Sequence, residues 1–286
     1  MTKGVILKGI GGFYYVKTAD GLVECKPRGI FRKEGVTPMV GDWVEVDGVS
    51  IEKILPRKNF LIRPPIANID CVVVVVAVTL PMPNLMMIDK LLITIENLEI
   101  DCVVCLNKTD LADEQTVQAL KDLYTQAGYR VACTSSLKDD GIGGLKDILH
   151  QGITVFAGAS GVGKSSLLNA VNIGFKLIAG EMSIKNARGR HTTRHVELLP
   201  FGEGYVADTP GFTSLDLMKV KHEDLQYLFR EFTPFIGKCR FRGCSHLAEP
   251  SCAVIAAVED GTISQSRYDN YKQLFAELKE VKSWEK

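Results

Sequence analysis

The first part of the chain alternates hydrophobic and polar residues with a period of two, and turn signals such as Gly11-Gly12 and Asp47-Gly48 separate the alternating segments. A period of two predicts β-strands with one buried face, and no long helical pattern interrupts them. The predicted strands are residues 4–10, 13–18, 22–25, 42–47 and 50–55. This part of the chain is therefore predicted to be a small all-β unit.

Five strands of this length indicate a barrel of the oligonucleotide-binding (OB) type, whose strand face and loops often hold RNA. Residues 1–63 contain eleven Lys and Arg against seven Asp and Glu. Basic residues lie beside an aromatic one in the group Lys26, Arg28, Phe31, Arg32 and Lys33. Such a mixture suits phosphate contacts and base stacking. An SH3-like barrel with a protein partner is the alternative, and composition does not separate the two.

The pattern changes after Arg63-Pro64-Pro65, where tandem prolines predict a linker. Residues 71–78 form an unbroken, mostly β-branched apolar run, which is typical of a strand buried on both faces of a parallel sheet. Helices and strands are then predicted to alternate over residues 85–97, 102–106, 113–127, 130–133, 145–150 and 153–157. This alternation predicts a three-layer α/β domain.

A glycine-rich loop follows the last of these strands. Its sequence, Gly158-Ala-Ser-Gly-Val-Gly-Lys164-Ser165, fits the pattern GxxxxGKS. The glycines let backbone N–H groups surround a triphosphate, Lys164 reaches the β- and γ-phosphates, and the Ser165 hydroxyl binds Mg²⁺. The residues expected to bind the phosphates are Gly158, Ala159, Ser160, Gly161, Val162, Gly163, Lys164, Ser165 and Ser166.

A second motif, Asn107-Lys108-Thr109-Asp110, lies at the end of the strand predicted at 102–106. The Asp110 carboxylate can accept hydrogen bonds from guanine N1–H and from the exocyclic amine, whereas adenine presents neither donor. At the carboxyl edge of a parallel sheet, this motif indicates a guanine site. Thr134-Ser135-Ser136 follows the next strand, where a backbone N–H can meet guanine O6, and Ser135 is assigned to the nucleotide site.

Two further segments are expected to respond to the state of the nucleotide. Residues 181–194 are polar and basic and include His191, Thr192 and Thr193, and Asp208-Thr-Pro-Gly211 follows a predicted hairpin. Asp208 suits an outer-shell contact to Mg²⁺, the Gly211 N–H suits a γ-phosphate, and Thr192 or Thr193 can offer a hydroxyl to the metal. Loss of the γ-phosphate is then expected to release these segments.

The residue after Gly211 affects how hydrolysis is expected to proceed. Ras-like enzymes place a water-orienting Gln there, whereas this chain has Phe212, which cannot hydrogen-bond water. We therefore expect slow intrinsic turnover that a partner or another side chain assists, and His191 is the candidate side chain. The predicted catalytic residues are Lys164, Asp208 and His191.

The last part of the chain contains a cluster of metal-ligand residues, Cys239, Cys244, His246 and Cys252. Three thiolates and one imidazole complete a tetrahedral Zn²⁺ shell without an open position for water, so one structural zinc ion is predicted. Cysteines packed in a small core are the alternative. Helical patterns at 222–232 and 268–282 flank the cluster, and Lys238, Arg240 and Arg242, which alternate with and follow Cys239, could face RNA.

Composition sets the remaining limits. The formal net charge is zero, so any nucleic-acid surface has to be local. We find no signal-peptide pattern and no apolar run long enough to cross a bilayer, and we expect a cytoplasmic monomer that does not bind membranes. In that compartment the other cysteines are expected to be reduced core residues, and they are Cys25, Cys71, Cys102, Cys105 and Cys133.

The guanine motif precedes the phosphate loop, whereas it follows the loop in Ras-like GTPases. In this order, in the motifs at 107–110, 158–166, 189–193 and 208–212, and in the cysteine cluster, the sequence resembles the RsgA family of circularly permuted GTPases. The resemblance implies that GTP is hydrolysed to GDP and phosphate with stimulation by the 30S ribosomal subunit, during late maturation of that subunit. It also implies that the flanking domains contact 16S rRNA.

The predicted fold is a multidomain α/β protein with an OB-like barrel at 1–65, a circularly permuted P-loop GTPase domain at 66–218 and a mostly helical zinc-binding domain at 219–286. Because residues 208–217 lead directly into the last domain, this segment is predicted to act as a hinge. Two other functions stay open. One is a P-loop ATPase or nucleoside kinase, and the other is a nucleotide-locked RNA-binding scaffold with incidental hydrolysis.

Overall fold

The computed structural model of the chain describes residues 1–149, 151–171, 196–208 and 220–284. The first unit is a barrel of strands β1 (Thr2–Ile10), β2 (Phe13–Thr18), β3 (Gly21–Pro27), β4 (Trp43–Asp47) and β5 (Ser50–Ile54). The strands pair in the order β1-β2-β3-β5-β4, and β1 also pairs with β4, which closes the barrel. Alternate residues, among them Ile6, Val16, Val44 and Ile51, form its buried core. The predicted five-stranded OB-like barrel is confirmed, with helix α1 (Gly29–Lys33) between β3 and β4.

The proline segment is a tight turn, which differs from the predicted linker. Strands β6 (Phe60–Leu61) and β7 (Ile66–Ala67) pair on either side of residues 62–65. The Ala67 N–H donates to the Val40 carbonyl at 2.8 Å, and the buried Asn68 Nδ2 donates to the Gly41 carbonyl at 2.9 Å. The prolines do end regular structure, but hydrogen bonds hold the segment against the barrel.

A mostly parallel sheet forms the second unit. Its strands are β8 (Cys71–Ala77), β9 (Asp101–Asn107), β10 (Arg130–Thr134), β11 (Ile153–Ala157), β12 (Glu197–Phe201) and β13 (Gly204–Asp208). They lie in the order β10-β9-β8-β11-β13-β12, and each neighbouring pair is parallel except the β12–β13 hairpin. The carboxyl ends of β8, β9, β10, β11 and β13 therefore meet at one edge of the sheet.

Helices cover both faces of this sheet and complete the three predicted layers. Helices α2 (Leu85–Asn97) and α3 (Glu114–Gln126) pack on one face, and α4 (Ile142–Leu149) and α5 (Lys164–Val171) pack on the other. Every residue of β8 is buried, with Val72 and Val74 in one core and Val73 and Val75 in the other. The prediction from the apolar run, a strand buried on both faces of the sheet, is thus confirmed.

The barrel and the α/β sheet share hydrogen-bonded edges. Lys8 of β1 is in register with Glu197 of β12, and the Lys8 Nζ atom lies 2.8 Å from Glu197 Oε2. Through this pairing, the strands of both units form a single eleven-stranded sheet within the part of the chain that the structure describes.

The C-terminal region has an aromatic core between helices α6 (Ala253–Glu259) and α7 (Gln265–Trp284) and two short 3₁₀ turns, Leu225–Leu228 and Arg230–Phe232. The helix predicted over 222–232 is wrong as one continuous element, because Phe229 has an extended backbone between the two turns. The spacing of the apolar residues there reflects packing in this core, where the Phe232 ring lies 4.8 Å from that of Tyr271. The closing helix is confirmed and begins three residues earlier than predicted.

Buried thiols line several strands. Cys25, Cys71, Cys102 and Cys105 are buried and Cys133 is half-buried, and all five are free. Burial raises the pKa of the Cys71 and Cys105 thiols to about 12, so both stay protonated at neutral pH. The predicted core position of these cysteines is confirmed, with Cys133 partly buried against the core of the α/β sheet.

Candidate functional site

The phosphate-loop motif joins β11 to α5, and its glycines occupy conformations that other residues avoid. Gly158 has a φ of +139° and Gly163 a φ of +98°. A Cβ atom at Gly158 would lie 2.3 Å from the Val75 carbonyl oxygen, and one at Gly163 would lie 2.3 Å from Nδ2 of Asn107. The loop therefore has to be built from glycine at these two positions, where the backbone approaches the neighbouring strands.

The guanine motif lies directly against this loop. Asn107 ends β9 and is fully buried, and its Nδ2 donates to the Val162 carbonyl at 2.9 Å. The Lys108 Nζ donates to the Gly161 carbonyl at 2.6 Å. Thr134, at the end of β10, donates its hydroxyl to Asn107 Oδ1 at 3.1 Å. The two motifs predicted to hold the two ends of one nucleotide are thus in hydrogen-bond contact.

Asp110 is held by the loop that follows β10. Its Oδ1 accepts a hydrogen bond from the Ser135 hydroxyl at 2.6 Å. Thr109 donates its hydroxyl to the Thr134 carbonyl at 3.1 Å, which fixes the motif on the neighbouring strand. The Ser135 N–H donates to the Asp140 carbonyl at 3.0 Å. In this arrangement Ser135 orients the Asp110 carboxylate, and its amide is engaged within the protein rather than offered to a base.

Lys164 begins α5 and is half-buried beside the loop. Its Nζ donates to the carbonyls of Gly158 and Ala159 at 2.8 and 2.7 Å. Burial lowers the pKa of the Lys164 ammonium. The ammonium therefore lies inside the loop that the motif predicts to surround phosphates, while Ser165 and Ser166 are exposed in the first turn of α5.

The switch residues are described only in part. Asp208 ends β13, which runs parallel to β11 with Ala207 in register with Val155, so its backbone lies at the same sheet edge as the phosphate loop. His191, Thr192, Thr193 and Gly211 lie outside the described residues, as does most of the segment predicted to be a hinge.

The four predicted metal ligands come together in the C-terminal region. The ligand atoms of Cys239, Cys244, His246 and Cys252 all lie within 4.8 Å of one another. The Sγ atoms of Cys239 and Cys252 are 3.8 Å apart, and His246 Nδ1 lies 3.3 Å from Cys252 Sγ and 3.6 Å from Cys239 Sγ. A tetrahedral zinc shell separates two sulfurs by about 3.8 Å and sulfur from nitrogen by about 3.5 Å. The donor set and its spacing therefore fit a structural metal ion.

Two residues around this cluster were missed in the sequence. Gln226 accepts at Oε1 from His246 Nε2 at 2.9 Å. Glu249 accepts from the Ser245 N–H at 2.7 Å and the Leu247 N–H at 2.9 Å, and so holds the loop that carries His246. Burial acts to raise the pKa of the Glu249 carboxyl, but hydrogen bonds from the Ser245 hydroxyl, the Ser245 N–H and neighbouring backbone N–H groups lower it to about 2. Only the spacing of Glu249 between two ligands could have drawn attention to it.

A buried ionic cluster joins the C-terminal region to α2. Arg267 of α7 is 1% exposed and donates from Nε to Glu231 Oε1 at 2.7 Å and from Nη2 to Glu231 Oε2 at 3.0 Å. Its Nη1 donates to Asp89 of α2, which also accepts from Asn270 at 2.7 Å. Burial raises the pKa of the Asp89 carboxyl, while Arg267 acts to lower it.

One sheet edge thus carries a guanine motif, a phosphate loop and an aspartate-ended strand, with the guanine motif first in the chain. This arrangement defines a circularly permuted GTPase. The RsgA N-terminal domain model matches residues 3–52, and the RsgA GTPase model matches residues 54–218. The chain belongs to the RsgA family of GTPases, which hydrolyse GTP.

Curated relatives and solved structures agree with this assignment. The chain is 47% identical to the small ribosomal subunit biogenesis GTPase RsgA of Ruminiclostridium cellulolyticum, over 98% of this chain and 95% of the relative. It is 45% identical to the Bacillus anthracis protein of the same name, over 99% of both chains. Among solved structures, YjeQ from Thermotoga maritima has a TM-score of 0.81 at 38% identity, over 97% of this chain and 98% of that one. YloQ, described as a circularly permuted GTPase, has a TM-score of 0.83 at 39% identity, over 98% of this chain and 96% of that one.

Within the described ranges, no helix is long and apolar enough to cross a membrane.

Proposed function

We propose that this chain binds one GTP between the guanine motif and the phosphate loop and hydrolyses it to GDP and phosphate during late maturation of the 30S ribosomal subunit. The observation that supports this most directly is the 2.9 Å hydrogen bond from Asn107 to the Val162 carbonyl, because it sets the base-binding motif beside the phosphate-binding loop. The two relatives are named as small ribosomal subunit biogenesis GTPases, which supports the biological role.

Each motif residue has a role in this proposal. Asp110, oriented by Ser135, accepts from guanine, and the N–H groups of 158–166 bind the phosphates. When GTP binds, the Lys164 ammonium gives up its hydrogen bonds to the Gly158 and Ala159 carbonyls and contacts the β- and γ-phosphates instead. Mg²⁺ bound with the nucleotide supplies positive charge at the phosphates, and the Ser165 hydroxyl and Asp208 are the groups of this chain that would hold it, together with Thr192 or Thr193. Gly211 and His191 complete the proposed site at the γ-phosphate and the attacking water.

The cysteine cluster is proposed to hold one structural zinc ion. Its closed set of three thiols and one imidazole leaves no ligand position for a substrate, and the spacings among Cys239, His246 and Cys252, 3.3 to 3.8 Å, are close to those of a tetrahedral shell. The metal therefore contributes to folding of the C-terminal domain rather than to hydrolysis.

The flanking domains are proposed to bind 16S rRNA. Lys238, Arg240 and Arg242 are exposed beside the metal cluster, and the Arg240 guanidinium lies 5.6 Å from the centre of the exposed Phe241 ring. Cationic and aromatic side chains on one surface suit phosphate contact and base stacking. A ribosome-directed factor of this kind is proposed to act in the cytoplasm, as a monomer.

Single-turnover GTP hydrolysis with and without purified 30S subunits tests the proposal. Wild-type protein should hydrolyse GTP slowly alone and at least tenfold faster with 30S subunits. Lys164→Ala should abolish turnover in both conditions, and His191→Ala should lose only the stimulated rate. Equal rates with and without 30S subunits would favour the scaffold function. Equal protection of binding by ATP and GTP, unchanged in Asp110→Ala, would favour an ATPase or kinase.

A further inference from the structure

Gln226 makes two hydrogen bonds that together determine which nitrogen of the His246 ring carries the proton. Its Nε2 donates to the Glu223 carbonyl at 3.1 Å, and its Oε1 lies 2.9 Å from His246 Nε2. A backbone carbonyl only accepts hydrogen bonds, so the amide nitrogen of Gln226 has to point towards Glu223. The amide oxygen is then the atom that faces the imidazole.

This orientation fixes the tautomer of His246. An amide oxygen accepts but does not donate, so His246 Nε2 has to carry the ring proton. The lone pair of the neutral ring is then on Nδ1, which is the nitrogen that faces Cys239 and Cys252 at 3.6 and 3.3 Å. Gln226 thereby presents the metal-binding nitrogen to the thiols.

The rest of the surroundings place the ring but do not choose its tautomer. The Phe232 ring meets the imidazole edge-on at 6.1 Å between centroids, and the Tyr268 hydroxyl donates to the His246 carbonyl at 2.8 Å. His246 itself has a φ of +59°, a backbone conformation that is rare for residues other than glycine. A thiol can donate to Nδ1 or accept from it, so the contacts to Cys239 and Cys252 are compatible with either tautomer. The partner of Nε2 is an amide oxygen that can only accept, so this contact selects the tautomer.

We propose that Gln226 is a positioning residue for the metal centre, which holds His246 as an Nδ1 ligand by accepting the Nε2 proton. The proposal rests on the zinc site proposed above. Partners of this kind orient a ligand and raise its basicity, and their removal typically weakens metal binding by about 10- to 100-fold. Because Gln226 lies in the 3₁₀ turn Leu225–Leu228, the turn at the start of the C-terminal region becomes part of the metal centre.

Zinc competition against a chromophoric chelator, on the full-length chain, tests the proposal. Gln226→Ala should bind zinc about 10- to 100-fold more weakly than wild type, whereas Gln226→Glu, which keeps an acceptor towards His246, should stay within about threefold. Gln118→Ala serves as the matched control and should bind zinc as wild type does, because the Gln118 side chain lies on α3 and donates a hydrogen bond to Asp122. Equal affinity of Gln226→Ala and wild type would overturn the proposal.

The same Gln226→Ala change in a chain with a different fourth ligand distinguishes orientation of His246 from a general packing effect of Gln226. In a His246→Cys chain, the fourth ligand is a thiolate with no tautomer, so adding Gln226→Ala should change zinc affinity by less than twofold. An equal loss in both backgrounds would show that Gln226 acts only through packing and would refute the positioning role. A wild-type chain that binds no zinc would instead refute the zinc assignment, and GTP hydrolysis measured on the same samples reports the nucleotide site separately.

Discussion

Replacing Arg267 tests how firmly the C-terminal domain is fixed to the GTPase domain. Its guanidinium binds Glu231 through two nitrogens and Asp89 through the third, all three side chains are buried, and the guanidinium lies 4.8 Å from the centre of the Phe229 ring. In an Arg267→Met chain the side chain still fills space, but two carboxylates stay buried without their cation. Uncompensated buried charges of this kind destabilise proteins by about 3 to 5 kcal/mol.

The effect is large enough to measure by urea unfolding followed by far-ultraviolet circular dichroism. A loss of about 3 kcal/mol changes the unfolding constant by more than about 100-fold, and with a slope of about 3 kcal/mol per molar urea it moves the midpoint by about 1 M. Hydrogen exchange of α2 should rise in the same variant, because Asp89 connects that helix to α7.

A neighbouring ion pair provides the control. Lys90 of α2 and Glu277 of α7 lie 2.7 Å apart with side chains 37% and 42% exposed. Because solvent screens that pair, Lys90→Ala should change stability by less than about 1 kcal/mol. If Arg267→Met destabilises the chain no more than Lys90→Ala, the buried cluster does not hold the two domains together as reasoned.

Three further changes test the sites. Asp110→Asn replaces an acceptor oxygen by a donor, so base preference should move from GTP towards XTP, whose base has a carbonyl at C2; unchanged preference in competition binding contradicts the guanine assignment. Gly163→Ala brings a Cβ to 2.3 Å from Asn107 Nδ2, so GTP affinity in equilibrium dialysis should fall at least tenfold, whereas Gly143→Ala, with open space around it, should leave the affinity unchanged. Glu249→Gln should destabilise the protein at pH 7. Because the folded pKa of Glu249 is depressed to about 2, this difference from wild type should be full above about pH 4.5 and disappear as the pH falls to about 2, in unfolding curves of both proteins. A difference that does not depend on pH would show that the Glu249 charge is not the cause.

Secondary structure was predicted most accurately where neighbouring residues all meet one structural requirement. The apolar run at 71–78 predicted β8 to within a residue, because a strand buried on both faces admits few residue types. The glycines at 158–163 located the loop after β11, because several of them have positive φ angles that other residues avoid. The guanine motif and the metal ligands were found in the same way, since their chemistry requires specific residue types at fixed spacing.

Contacts between distant parts of the chain could not be predicted. Arg267 and Asp89 are 178 positions apart, and no local pattern in either helix indicates that the two charges pair. The helix predicted at 222–232 failed for a related reason, because Leu225, Phe229 and Phe232 are spaced for an aromatic core contributed largely by α7. Gln226 likewise gains its role only from the fold, which brings His246 to it.

The two attachments of the barrel have a consequence for encounters with a large partner. The barrel is fixed at β12 through Lys8 and Glu197, and at the proline turn through Asn68 and Gly41. Two separate attachment points suppress the rotation that a single tether would permit. A partner that contacts both units therefore meets one preformed surface, and association does not have to freeze an interdomain joint, which removes an entropic penalty from complex formation.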